Sequence, residues 1–161
     1  MSDIGEEFIA RSRFHLTQDY LPKIERCLDF LSDEQIWWRA NAQSNSIGNL
    51  LLHLSGNVRQ WIVNGLGSGA GVRDRDAEFA QREMIPKDEL RLLLKQTLHA
   101  VDTTLEQYDA NRLLESRTIQ GTNVSALAAI LHVVEHFSMH TGQIVYITKL
   151  LTAHDLHFYD L

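Results

Sequence analysis

Apolar residues recur three or four apart along most of this chain, the period at which side chains share one face of a helix. The first run goes from Ile4 to Leu31, with Phe8, Leu16, Tyr20, Ile24, Cys27, Leu28 and Leu31 on its stripe. Pro22 falls inside it. It removes one backbone donor and predicts a kink. Ser32-Asp33-Glu34-Gln35 then reads as a capping box that opens a short turn carrying Trp37 and Trp38. A second run holds Ile47, Leu50, Leu51, Leu54, Val58, Trp61 and Ile62 and ends near Asn64. Asn45 or Ser46 suits its N-cap.

Glycines at 65, 67, 69 and 71 end that helix. Pro86 suits the first turn of a third helix, whose stripe is Leu90, Leu93, Leu94, Leu98, Val101, Leu105 and Tyr108. Residues 109–122 have no helical period, and Ser116 to Gly121 is a candidate for extended backbone. Asn123 or Ser125 can cap a fourth helix that ends near Thr152, followed by a short tail from His154 without an assignment. No strand pattern is convincing. The expectation is an all-α fold in which a four-helix bundle buries four stripes. The connection between the second and third helices is about 20 residues, longer than a bundle needs, and such loops are often mobile or functional. Its Gly65-Leu66-Gly67-Ser68-Gly69-Ala70-Gly71 stretch lacks the Lys-Ser/Thr and the strand-then-helix context of a phosphate loop. No repeat or linker divides the chain, so residues 1–161 are expected to form a single domain.

Composition narrows the function classes. The hydrophobic fraction is 44% and the charged fraction 22%, ordinary for a globular protein. A net charge of −6 leaves no basic stripe for nucleic acid and disfavours docking on anionic lipid. Cys27 is the only cysteine, so an intrachain disulfide is impossible. The acidic start, Met1-Ser2-Asp3-Ile4-Gly5-Glu6-Glu7-Phe8, lacks a signal-peptide layout. No apolar run approaches the ~20 residues that span a bilayer. A soluble cytoplasmic protein with no nucleic-acid or membrane partner is expected.

The chemistry lies in histidines. His132, His136 and His140 recur at steps of four on the fourth helix, near the end of the chain. Residues at that spacing lie about 40° apart around the axis, so His136 and His140 project side by side and can reach one metal ion. A catalytic site usually wants a third protein ligand and an open position. On the second helix Asn49, His53 and Asn57 form a polar line beside Leu50, Leu51 and Leu54. If those two helices are neighbours, His53 completes a three-histidine site. Taken singly, each histidine reads equally as a core residue bonded to a carbonyl or amide. Three buried rings without a shared partner are costly, because each has a donor and an acceptor to satisfy. His136-Phe137-Ser138-Met139-His140 lacks the glutamate of a zinc-protease helix, and no Glu-x-x-His motif exists to build a carboxylate di-iron centre.

His136-Phe-Ser-Met-His140-Thr-Gly-Gln143-Ile144, together with Asn45 to Asn57 about eighty residues earlier, resembles the DinB-like (YfiT-like) family over nearly the whole chain. The resemblance implies a four-helix bundle, often a homodimer, with His53, His136 and His140 as ligands of a divalent metal. His132 falls outside that ligand pattern and reads as core or as support for the site. Several members of that family resemble transferases that attach a low-molecular-weight thiol to an electrophilic small molecule. Zn, Ni and Fe all suit three imidazoles. A thiol held by the ion would ionise at neutral pH, while an activated water would give a hydrolase instead. A metal-stabilised dimeric binding module without catalysis is the third reading. No catalytic residue beyond the ligands is assigned. Asn49, Asn57 and Gln143 are candidates to fix the imidazoles from outside, with helix capping or solvent contact as the other reading, at least as good for Asn49. Arg73 and Arg75 could hold a carboxylate of an anionic thiol, though pairing with Asp74 and Asp76 is the simpler expectation. Trp37, Trp38 and Trp61 read as core or as pocket lining.

Overall fold

The computed structural model describes residues 3–158, so the end of the unassigned tail lies outside it. Four long helical rods dominate. Rod one is continuous over residues 4–29: α1 (Ile4–Phe14), a π-helical stretch (His15–Tyr20) and α2 (Leu21–Asp29). Pro22 stands in the first turn of α2, directly after the π stretch. Its missing N–H and the bulk of its ring are absorbed by a widened turn, and the helix continues. A one-turn helix, α3 (Asp33–Ile36), follows and carries the expected capping box. The Ser32 hydroxyl accepts from the Gln35 N–H at 3.3 Å while Gln35 Oε1 accepts from the Ser32 N–H at 2.9 Å.

Rod two is α4 (Ile47–Val58) continued by a second π stretch (Arg59–Asn64). Ser46, not Asn45, is its N-cap. Gly48 sits on the first turn because Trp37 lies flat there: a Cβ would stand 2.7 Å from the indole ring. The connection that follows is not featureless. It holds a six-residue helix, α5 (Arg75–Ala80), capped by Asp74, whose Oδ1 accepts from the Ala77 N–H at 2.9 Å. Rod three is α6 (Lys87–Glu106), and rod four is α7 (Ala126–Thr152), capped by Ser125.

The all-α expectation needs one correction. β1 (Ser116–Ile119) and β2 (Thr122–Ser125) pair antiparallel, Ser116 opposite Ser125 and Ile119 opposite Thr122. Gln120 and Gly121 turn the chain with φ of 53° and 75°. Two consecutive positive φ values make the tight turn whose twist suits a hairpin. Four-residue strands are too short to announce themselves by alternation, and Asn123 lies within β2 rather than capping α7.

Contacts between side chains give the directions. Rods one and three are antiparallel: Arg13 meets Asp102, Glu25 meets Lys95 and Asp29 meets Arg91. Rods two and four are antiparallel as well, with Trp61 against His132 and His53 against His140. Rods one and four run parallel, since Tyr20 stacks on Phe137 and, just past the two ends, the Phe30 ring lies against that of His154. Rods two and three therefore also run parallel, and two consecutive parallel helices require a connection that travels the length of the molecule. That is the reason for the long 65–86 segment. All four rods contribute to a single cluster of buried residues, among them Leu16, Ile24, Leu51, Leu54, Leu94, Val101, Val133 and Phe137. No helix among the described residues is long and apolar enough to cross a membrane.

Candidate metal centre

α4 is buried on most of its circumference, from Ile47 through Val58, because α5, α6 and α7 all pack on it. A histidine in that helix cannot escape to water, and His53 is only 4% exposed. α7 presents His136 and His140 to the same place, His140 being 8% exposed. The antiparallel crossing sets His53 opposite this pair.

The rings meet through their Nε2 atoms. His53 Nε2 is 2.9 Å from His136 Nε2, and His136 Nε2 is 3.1 Å from His140 Nε2. One ligand atom from each of the three lies within 4.8 Å of the others. Metal–nitrogen bonds of about 2.0–2.1 Å keep two ligands of one ion roughly 3.0–3.4 Å apart, so these separations fit a shared ion. A chain of hydrogen bonds through three neutral imidazoles accounts for the approach less well. His136 Nε2 is approached from both sides, while its Nδ1 is buried with no hydrogen-bond partner. A cation at the meeting point satisfies all three lone pairs together.

The electrostatics agree with neutral rings. Burial, then the neighbouring His140 and His53, pushes the His136 pKa down to about 3. Burial also lowers the His140 pKa, against the opposing bond to Gln143. Neutral imidazole is the form that ligates metals.

The supporting groups follow expectation at Gln143 but not throughout. Gln143 Oε1 lies 2.7 Å from His140 Nδ1, on the side away from the cluster. Asn49 meets no imidazole. It belongs to the start of α4, accepting from the Ser46 hydroxyl at 2.6 Å and donating to the Glu78 carbonyl at 2.8 Å, and it also bonds Arg39. Asn57 is buried and its Oδ1 has no hydrogen-bond partner among the described residues. His132 stays outside the trio, its ring 4.4 Å from Trp61 and 5.6 Å from His136. Arg73 does not pair with its neighbouring aspartates. It grips Glu78 with two bonds of 2.7 Å, and Glu78 Oε2 sits 3.0 Å from His53 Nδ1. Arg75 lies over the Phe79 ring, 5.1 Å from its centre.

Glu78 is the residue that sequence reasoning missed. Its only signal was position: a carboxylate in the Asp74-capped turn of a long connection. The approach is built into α4, where a Cβ on Gly56 would come within 1.9 Å of Glu78 Oε1.

Fold and site together define the class: a helical protein with a minor hairpin and a largely buried three-histidine cluster able to take a metal ion. The chain belongs to the family described as "Protein of unknown function (DUF1572)", which matches residues 3–160. No curated protein matches it. Among solved structures it is similar to a conserved protein from Enterococcus faecalis, with a TM-score of 0.72 at 14% identity over 90% of this chain and 97% of the other. It is also similar to a DinB-like protein from Bacillus cereus, with a TM-score of 0.66 at 14% identity over 82% of this chain and 85% of the other. At such identity the likeness establishes the DinB-like fold.

Proposed function

We propose that the chain is a metal-dependent enzyme in which His53, His136 and His140 hold a divalent ion, Zn, Ni or Fe, and that it transfers a low-molecular-weight thiol to an electrophilic small molecule. The convergence of three Nε2 atoms carries this reading. When bound, the ion supplies positive charge that acidifies a thiol at neutral pH, or a water in the hydrolytic alternative. The protein's own groups do the rest. Glu78 and Gln143 stand at the outer nitrogens of His53 and His140, where they fix the tautomer that turns Nε2 inward. Phe79, with its ring 4.5 Å from that of His53, keeps water from that side. Beyond Gln143 a cleft of about 620 Å³, lined by Trp38, Leu50, Met139, Tyr146 and Ile147, offers an apolar place for the electrophile. The same reading takes residues 1–161 as one four-helix-bundle domain acting as a cytoplasmic homodimer.

Elemental analysis of protein purified without an affinity tag tests the first half. Stoichiometric metal is expected, and a protein that stays metal-poor after addition of Zn²⁺, Ni²⁺ or Fe²⁺ refutes it. The second half is tested by turnover of small thiols with a generic alkylating electrophile. Turnover should require the metal and vanish in a folded His53→Ala variant. Metal-dependent ester or amide hydrolysis without thiol consumption would favour the hydrolase.

A further inference from the structure

α5 has no buried residue of its own, yet it lies over the most enclosed part of α4. Polar contacts hold it there. Asn49 Nδ2 donates to the Glu78 and Gln81 carbonyls at 2.8 and 3.2 Å, and Arg39 donates to the Gln81 carbonyl at 3.1 Å. On the side facing the histidines, Glu78 reaches His53 Nδ1 and Phe79 covers the ring. The chain enters this segment through the glycines at 65, 67, 69 and 71, with Gly71 at a φ of 156°. A segment anchored by a few polar bonds and entered through glycines opens at low free energy compared with the rods.

The chemistry of the contact sets its consequence. His53 Nδ1 has two polar neighbours, Glu78 Oε2 at 3.0 Å, which only accepts, and Arg73 Nη2 at 2.9 Å, which only donates. Because Arg73 is already engaged in two bonds to Glu78, the Glu78 contact is taken to hold the proton on Nδ1. The lone pair then lies on Nε2, facing His136 and His140. Arg73 keeps the carboxylate aimed, holding it with two bonds of 2.7 Å. With the segment lifted, Glu78 is withdrawn and the His53 proton is free to sit on Nε2, where it blocks a ligand position.

We propose that Glu78 is a positioning residue that couples the 71–81 segment to metal binding: the closed segment presents the His53 lone pair to the ion, and the bound ion holds the segment closed. The inference rests on the three-histidine metal reading and goes beyond it by assigning a partner residue and a mobile cover. Reciprocity is required, because whatever closure adds to metal affinity, metal adds to closure.

The test uses the full chain and Zn²⁺ alone. Affinity is measured by chelator competition, closure by hydrogen exchange of amides 71–81 with and without zinc, and folding by thermal melting. Glu78→Ala should weaken zinc binding roughly 10–100-fold, the range for losing a group that orients a metal ligand. It should also abolish the zinc-induced protection of the segment. Glu78→Gln, which retains an acceptor, should recover part of both. Gly56→Ala is the independent variant: it removes no contact, suits the helix, and displaces the carboxylate sterically, so it should imitate Glu78→Ala while melting no lower than wild type. Wild-type zinc binding with unchanged affinity in Glu78→Ala and Gly56→Ala overturns the inference alone. So does zinc binding with no change in exchange at 71–81. A wild type that binds no zinc overturns the metal reading and this inference with it.

Discussion

Rods one and three form an antiparallel pair, and so do rods two and four, but the two pairs place their titratable groups in opposite environments. Along the first pair, Arg13–Asp102, Glu25–Lys95 and Asp29–Arg91 meet at 2.7 to 3.0 Å on partly exposed side chains. Along the second pair, three imidazoles meet at similar distances, His53 and His140 buried and His136 partly buried. In the first case each charge has its opposite and the solvent screens both, so the pairs add little. In the second the groups are alike, and close approach of like groups in a largely buried site persists only if something shared satisfies them. Proximity alone is therefore weak evidence of function. Proximity of like, buried groups with supported outer nitrogens is strong evidence.

The comparison can be broken at several levels. The largest effect belongs to neither set of polar groups. Phe137, fully buried next to His136 and stacked on Tyr20, should cost about 3–5 kcal/mol on truncation to alanine, measured by urea denaturation. A much smaller loss would mean that the core around the site is loosely packed. Next comes His136→Ala, which should reduce zinc affinity by more than the ~10–100-fold that an outer partner contributes. Retained affinity would leave the trio as core residues.

The acid dependence of the metal-free protein follows from His136. Its folded pKa, about 3, lies below its ordinary value of 6.5. Between those values the unfolded chain binds the extra proton and the folded chain does not, so stability should fall as pH drops through that window. Denaturation at stepped pH checks this, and His136→Phe should flatten the curve while Arg13→Ala leaves its shape unchanged. The smallest effect is Arg13→Ala itself, about 0–1 kcal/mol at neutral pH. A loss of several kcal/mol there would show that the exposed pairs bear more load than their solvation allows.

Much of the fold is legible in apolar spacing. The stripes of rods two, three and four and the capping serines 32, 46 and 125 are local signals, and short-range sterics and hydrogen bonding enforce them. The hairpin was legible only in its first strand, the Ser116 to Gly121 stretch that is a candidate for extended backbone, because its pairing with Thr122–Ser125 depends on a turn at Gln120-Gly121 rather than on a pattern. The site divides in the same way. The spacing of His136 and His140 is a property of one helix, and a polar residue among leucines marks His53 as turned inward. Of the outer partners, Gln143 was legible from its place one turn beyond His140 and Glu78 was not. Asn49 looked available but was already engaged by Ser46 at the start of its own helix. Glu78 looked like one more solvated acid in a loop.

The sequence by itself determined where helices start and stop and which side chains share a helix face, because those depend on residues within one or two turns. It also determined the chemical type of the groups available to the cluster, three imidazoles with no acid among them. Only the tertiary structure decided that rods two and four cross antiparallel at His53, that the Nε2 atoms rather than the Nδ1 atoms converge, and that a carboxylate from the 65–86 connection reaches the outer face of one ring. These follow from the packing of whole rods and the path a connection must take between two parallel helices. Those free energies are spread over the entire core and leave no mark on any short stretch of residues.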